Sequence, residues 1–252
     1  MKQKILVVEN DKQMSAMISK ALKAASFDVV TVPSLEKAKE ALEKEKFDLV
    51  IIEDDSDSKE LLREIRTAKD YETIPIIFLG KGNDIDRIIA LEMGADDYVT
   101  RPFNTKELIS KIKAIFRRIR WDKKVDRKNQ PKMSFGRLEI DKESFEVKKD
   151  GKSIHLTPLE FDLLCFLAEN EGRVFSRETL LDRLWGYDYF VDTRTVDVHI
   201  RRLRTKIEEN PSKPRYIITV RGKGYKFVDP DKEGENDTLR SDKEEERRKE
   251  TE

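Results

Sequence analysis

The sequence predicts two domains: a doubly wound α/β domain built on a five-stranded parallel sheet, then a smaller α+β domain of three helices closed by a β-hairpin. Three observations carry this. Over residues 1 to 120, short apolar runs alternate five times with amphipathic stretches, the pattern of a parallel sheet covered by helices on both faces. After residue 131, short strand patterns lead into three helical ones. The apolar content then ends in RYIITV and YKFV, joined through Arg221, Gly222, Lys223 and Gly224 as a glycine-turned hairpin. A chain of 252 residues is long enough for two separate cores.

Taken in order, KILVV is followed by a helix to about Ala25, FDVVTV by SLEKAKEALEKE, FDLVII by SKELLREIRTA, IPIIFL by DIDRIIALEMG, and DYVT by TKELISKIKAIFRRIR. In such a sheet a site lies at the carboxyl ends of the strands, where the strand order reverses. Those ends carry Glu9, Asn10 and Asp11 after the first strand and Glu53, Asp54 and Asp55 after the third. Gly80 follows the fourth, and Arg101 with Pro102 the fifth. Residues 121 to 131, WDKKVDRKNQP, are charged, lack apolar periodicity and read as a linker. The second domain, 132 to 228, opens with SFGRLEID, SFEVKK and SIHLT. Thr157, Pro158 and Glu160 then start a helix as cap, first-turn proline and capping-box glutamate. A second helix, RETLLDRLWG, has Ser176 as its cap. Residues 229 to 252 are charged and nearly free of apolar side chains, so a disordered tail is expected.

The third helix, DTRTVDVHIRRLRTK, concentrates the chemistry. At 3.6 residues per turn Val196, Ile200, Leu203 and Ile207 form an apolar stripe, with Arg194, Val198, Arg201, Arg202 and Thr205 opposite. A basic helix of this kind fits the major groove of DNA, where an arginine fork reaches a guanine edge and a small apolar side chain a thymine methyl. The alternative is an ordinary solvated face, and the charge distribution decides between them. Lysine plus arginine number 51, as do the acidic residues, yet from Arg194 to Lys226 ten basic residues face only three acidic ones. That local excess is the footprint of a nucleic-acid site. The single Cys165 lies among apolar helix residues, and His155 and His199 have no Cys partners, so a zinc centre is not expected. The lack of a long apolar run or a secretion signal leads to the expectation of a cytoplasmic protein.

KILVVEND, FDLVII, IPIIFL and GADDYVTRPFNTKEL resemble the receiver domain of bacterial response regulators. LTPLEFDLL, GRVFSRETLLDRLWG, RTVDVHIRRLRTKIE and PRYIITVRGKGYKF resemble the winged helix-turn-helix output domain of OmpR/PhoB-type transcription regulators. The receiver resemblance implies an acidic pair and an aspartate that hold magnesium, that aspartate accepting a phosphoryl group which a hydroxyl residue and a lysine then contact. Here Asn10 replaces one acid, Glu53 the aspartate, Gly80 the hydroxyl residue and Arg101 the lysine, and only Glu9 keeps its role. Glu9 and Glu53 are expected still to attract Mg2+ weakly, with no other cofactor. Glutamate sits one methylene too far out for in-line transfer. Asp54 is expected to point away from the site, and Asp55 already lies in the loop. Two readings of Glu53 stay open: a permanent stand-in for aspartyl phosphate paired with Arg101, or a drifted residue in a dimerisation scaffold. A conventional regulator phosphorylated by a histidine kinase is the alternative to phosphorylation independence.

The output-domain resemblance implies Arg202 as the leading base contact, supported by Arg194, Thr195, Val198, His199, Arg201 and Arg204. It puts Trp185, Thr219 and Tyr225 near phosphates and Arg221 in the minor groove. The loop Tyr187 to Val191 is where such proteins meet RNA polymerase. A homodimer is implied, joined by Arg87 with Glu107, Asp97 with Lys111, and Asp96 with Arg118, with Tyr98 as the aromatic that changes rotamer. The expected target is double-stranded DNA with direct-repeat half-sites roughly 10 to 11 base pairs apart.

Overall fold

The computed structural model describes residues 2–55, 57–68, 71–81, 83–124, 132–186 and 193–232, with the side chains of 118–124 outside that description. Five strands, β1 (Lys4–Val8), β2 (Asp28–Val32), β3 (Leu49–Glu53), β4 (Ile76–Gly80) and β5 (Asp97–Thr100), form a parallel sheet in the order β2-β1-β3-β4-β5. Strand residues alternate between two cores, as the pleat requires. Ile5 and Val7 join Ile18 and Leu22 of α1 (Lys12–Ala24) and Leu108 and Ile112 of α5 (Thr105–Lys124). Leu6 and Val8 join residues of α2 (Leu35–Lys44), α3 (Ser58–Thr67) and α4 (Asp84–Met93). The strand order reverses between β1 and β3, which end at Val8 and Glu53, so the switch-point crevice opens beside Glu9 and Glu53.

Helix α5 runs to Lys124, into the stretch read as linker, because RRIRWDKK contains neither glycine nor proline to stop it. The rest of that linker, 125–131, lies outside the described residues, as does the tail from 233 onward.

The C-terminal domain begins with an antiparallel sheet of β6 (Met133–Phe135), β7 (Leu138–Asp141), β8 (Glu146–Lys149) and β9 (Lys152–Ile154). Helices α6 (Pro158–Glu169), α7 (Arg177–Trp185) and α8 (Arg194–Ile207) follow, then the hairpin β10 (Ile217–Val220) and β11 (Gly224–Phe227). Thr157 and Glu160 form a complete capping box with Pro158 in the first turn, and Ser176 caps α7 through the Thr179 N–H. The stripe Val196, Ile200, Leu203 and Ile207 lies in one core with Leu138, Leu163, Leu180 and Phe227. Gly224 is required where it stands. Its φ is 128°, and a Cβ there would lie 1.9 Å from the Phe175 carbonyl, whose segment pairs with Tyr225.

The two domains pack face to face: α8 lies against α4, while α6 and α7 lie against α5. Val198 of α8 is buried in the apolar cluster of the first domain, beside the side chains of α4 and β5.

Candidate functional site

At the switch point the Arg101 guanidinium spans two carboxylates. It donates to Glu9 through Nη2 and to Glu53 Oε1 through Nη1 at 3.0 Å. The backbone N–H of Asp11 donates to Glu9 at 3.1 Å and that of Asn10 to Glu53 at 3.3 Å. Asp11 itself caps α1 through the N–H groups of Gln13 and Met14. The guanidinium thus holds the carboxylate oxygens that a bound divalent cation would need. Mg2+ does not fit this arrangement, and among the described residues no cluster of three or more potential ligand side chains exists.

Glu9 is 2% exposed, and two carboxyls share one cation. Burial and a hydrogen bond with Glu53 push the Glu9 carboxyl up to about 7, against the pull of Arg101. The native state therefore takes up a proton between pH 4.5 and 7 that the unfolded chain does not, so this group stabilises the fold most below pH 4.5 and loses that contribution as pH rises through 7. Glu9→Gln, which mimics the protonated form, is expected to gain on the wild type by up to about 3 kcal/mol as pH rises from 5 to 8. Denaturant unfolding at several pH values measures the difference. A constant difference would assign the proton elsewhere.

Gly80 leaves room for an inward Tyr98. A Cβ on Gly80 would sit 1.9 Å from Tyr98 Oη, which donates to Asp54 Oδ2 at 2.9 Å. The expectation that Asp54 faces away from the site is corrected here: it turns toward β4 and β5 because the missing Gly80 side chain opens a path for the phenol. Asp55 accepts from the N–H groups of Asp57 and Ser58 and so belongs to the start of α3. Neither aspartate is free in the pocket.

Helix α8 is buried on both sides, which changes how its predicted DNA residues stand. Arg194, Arg201, Thr219 and Arg221 are exposed. Trp185, Thr195, Val198, His199, Arg202 and Tyr225 are buried, against the expectation of an open reading face. For Val198 and Arg202 the cover is the first domain, whose α4 lies against α8, whereas Trp185 and Tyr225 belong to the C-terminal domain's own core. Arg202 is 9% exposed, pairs with Glu160 at 2.9 Å, and donates through Nη1 to the carbonyls of Ala95 at 2.8 Å and Leu91 at 3.3 Å. Arg201 reaches Glu92 at 3.2 Å. Arg204 serves the wing, donating to the Ile217 carbonyl and to Thr219. Tyr225 donates to Asp197 at 2.7 Å, which also accepts from Arg177. His199 stacks edge-on to Trp185 and bonds the Thr195 carbonyl through Nδ1. Burial, then Arg202, pushes the His199 imidazole down to about 4 and keeps it neutral.

Glu160, which the sequence marks only as a cap, joins this charged cluster. Fully buried, it accepts from Lys206 at 2.6 Å and pairs with Arg202. Burial would raise its carboxyl, but Arg202 and Lys206 overcome that and hold it down at about 2. Only its place three residues after Thr157 marked it in the sequence.

Within the single chain, most of the residues expected at a dimer face have partners of their own. Asp97 and Lys111 pair within one protomer at 3.2 Å, both nearly buried. Asp96 pairs with Arg66 at 2.8 Å, and the Arg118 side chain lies outside the described residues. Arg87 lies 3.5 Å from Asp84, and Glu107 is exposed. A small cavity bordered by Asp96, Asp97, Ile115, Pro158, Leu159 and Trp185 marks where the C-terminal domain covers this face. The loop 187–191 lies outside the described residues.

A parallel sheet in the order 2-1-3-4-5 with charged loops at its switch point, joined to a three-helix domain with a hairpin wing, defines a response regulator with a DNA-binding output domain. Residues 5–113 match the family described as response regulator receiver domain, and 151–227 that described as transcriptional regulatory protein, C terminal. The chain belongs to the OmpR/PhoB-type response regulators and is a transcription regulator. Among solved structures it is similar to a mutant of RitR, at 28% identity over 90% of this chain and 99% of that one, with a TM-score of 0.69. It is similar also to DrrB, an OmpR/PhoB homolog from Thermotoga maritima, at 35% identity over 90% of this chain and 100% of that one, with a TM-score of 0.45. The Klebsiella pneumoniae RstA DNA-binding domain, crystallised with the RstA box, is 41% identical over 39% of this chain and 98% of that one, with a TM-score of 0.37. No helix among the described residues is long and apolar enough to cross a membrane.

Proposed function

We propose that this protein is a sequence-specific DNA-binding regulator whose receiver is set by its own side chains, without an aspartyl phosphate. The observation that carries this reading is Arg101 bridging Glu9 and Glu53: a built-in cation and a built-in carboxylate fill the positions where magnesium and the acceptor aspartate act in the family. Glu53 is the stand-in. Its extended carboxylate meets an arginine in place of the family lysine, and the inward Tyr98 accompanies it.

Regulation then falls on the contact between domains. The face that pairs two receivers in the family is covered here by the output domain, and the output domain's reading helix is covered by the receiver. A monomer with docked domains and a dimer on direct repeats, spaced roughly 10 to 11 base pairs, exclude each other. DNA and a second copy each bind only the undocked form and so shift the population toward it.

The test is to treat the full chain with acetyl phosphate and Mg2+ and to follow intact mass, sedimentation and binding to a duplex selected from a random pool. The expected outcome is no phosphoryl adduct, a monomer without DNA and a dimer on the duplex. An acid-labile adduct accompanied by tighter DNA binding would restore the conventional phosphorylated regulator.

A further inference from the structure

The receiver surface under α8 has the chemistry of the ligand that α8 is built to read. Arg202 Nη1 donates to two carbonyl oxygens, Leu91 at 3.3 Å and Ala95 at 2.8 Å, with Gly94 O at 3.4 Å from Nη2. These oxygens belong to the last turn of α4 and the turn after it, the negative end of the helix dipole, where the Leu91 carbonyl also accepts from the Gly94 N–H at 3.0 Å. An arginine facing guanine also meets two acceptors on one edge, there with two of its nitrogens, whereas here Nη1 alone serves both carbonyls and Nη2 pairs with Glu160 at 2.9 Å. Beside it Arg201 pairs with the Glu92 carboxylate at 3.2 Å, as an arginine pairs with a backbone phosphate. Val198, which would meet a thymine methyl, lies instead in the receiver's apolar cluster.

The acceptor turn is held in shape from behind. Arg66 donates to Gly94 O at 2.9 Å, to Glu72 O at 2.9 Å and to Ile74 O at 2.7 Å, and pairs with Asp96 at 2.8 Å. A fixed array of acceptors meets a fixed array of donors, and little ordering is needed when they join.

We propose that the segment Leu91 to Asp96 is an internal surrogate for a DNA site, read by the same α8 side chains that read DNA. This rests on the DNA-binding reading above and adds to it the competitor. Receiver and DNA contend for α8 group by group: Glu92 stands for a phosphate, and the Leu91 and Ala95 carbonyls stand for a base edge. One consequence separates this from a contact that merely blocks access. A substitution of Arg202 removes a base contact and an internal hold together and leaves buried Glu160 to Lys206 alone, so sequence preference falls while affinity for unrelated DNA rises. Glu92→Gln, which leaves Glu160 untouched, controls for that loss.

The experiment uses the full chain, a short duplex selected from a random pool by the wild type, and a mixed-sequence duplex of the same length. Binding is followed by fluorescence anisotropy and domain separation by X-ray scattering. Glu92→Gln removes only the phosphate surrogate and is expected to tighten binding to both duplexes by the same factor, roughly two- to fivefold for a partly exposed ion pair. Arg202→Ala is expected to scatter as a more extended particle, to bind the mixed-sequence duplex more tightly than the wild type, and to lose most of its preference for the selected one. Wild-type binding that neither substitution tightens on mixed-sequence DNA, with both variants as compact as the wild type, overturns the surrogate alone. If no protein, wild type included, binds either duplex at low salt, the DNA-binding reading falls and the surrogate with it.

Discussion

Replacing Arg101 by alanine is expected to destabilise the receiver by about 3 to 5 kcal/mol at pH 8, because it leaves two carboxylates without their shared cation in a site where Glu9 is 2% exposed. The magnitude follows from what is left behind. Removing one partner of a buried pair strands the other, which must then pay the full desolvation penalty or take a proton. Glu9 already has its carboxyl at about 7 with the guanidinium present, so below that pH it can protonate and the loss shrinks. The same vacancy makes a second outcome testable. With the guanidinium gone, Glu9 and Glu53 become an acidic pair open to a cation, and millimolar Mg2+ should recover part of the lost stability in Arg101→Ala while leaving the wild type unmoved. Denaturant unfolding with and without Mg2+ reads both effects. A variant as stable as the wild type at pH 8 would mean that the pocket does not depend on this bridge.

Gly80→Thr restores the hydroxyl residue that the family carries, yet here it is expected to be harmful. A Cβ at this position would meet Tyr98 Oη at 1.9 Å and Asp54 Cβ at 2.8 Å, so the phenol must leave its inward place. Overpacking of this kind costs about 1 to 3 kcal/mol, and the hydrogen bond from Tyr98 to the Asp54 carboxylate, a charged acceptor, adds roughly 1.5 to 3 kcal/mol. Tyr98 shares its apolar cluster with Val198 of α8, so a displaced ring disturbs the domain contact as well. The expected result is a lower unfolding midpoint and a more extended particle in X-ray scattering. Tyr98→Phe, which keeps the ring and loses only the hydrogen bond, should show the smaller stability loss and remain compact. Equal behaviour of the two variants would remove the steric argument.

Local rules made much of this protein legible from its sequence. The alternation of KILVV, FDVVTV, FDLVII and IPIIFL with amphipathic helices fixes a parallel sheet, because each strand must bury both faces. Thr157, Pro158 and Glu160 start α6, and Val196, Ile200, Leu203 and Ile207 seat α8, through contacts that depend on residues three or four apart. The altered pocket was legible for the same reason: strand ends in a doubly wound fold converge, so Glu9, Glu53, Gly80 and Arg101 come together once the sheet is known. What the tertiary structure alone decided is which surfaces meet. Sequence periodicity reports that a helix has an apolar stripe and a basic face, not what that basic face touches, and α8 carries Arg201 and Arg202 against the end of α4. Backbone carbonyls such as those of Leu91 and Ala95 have no letter in a sequence. Glu160 likewise reads as a cap, and only folding brings Arg202 and Lys206 onto it from more than forty positions away. Local periodicity determined the elements and the chemistry they carry; the long-range packing of one domain on the other decided which of that chemistry is exposed.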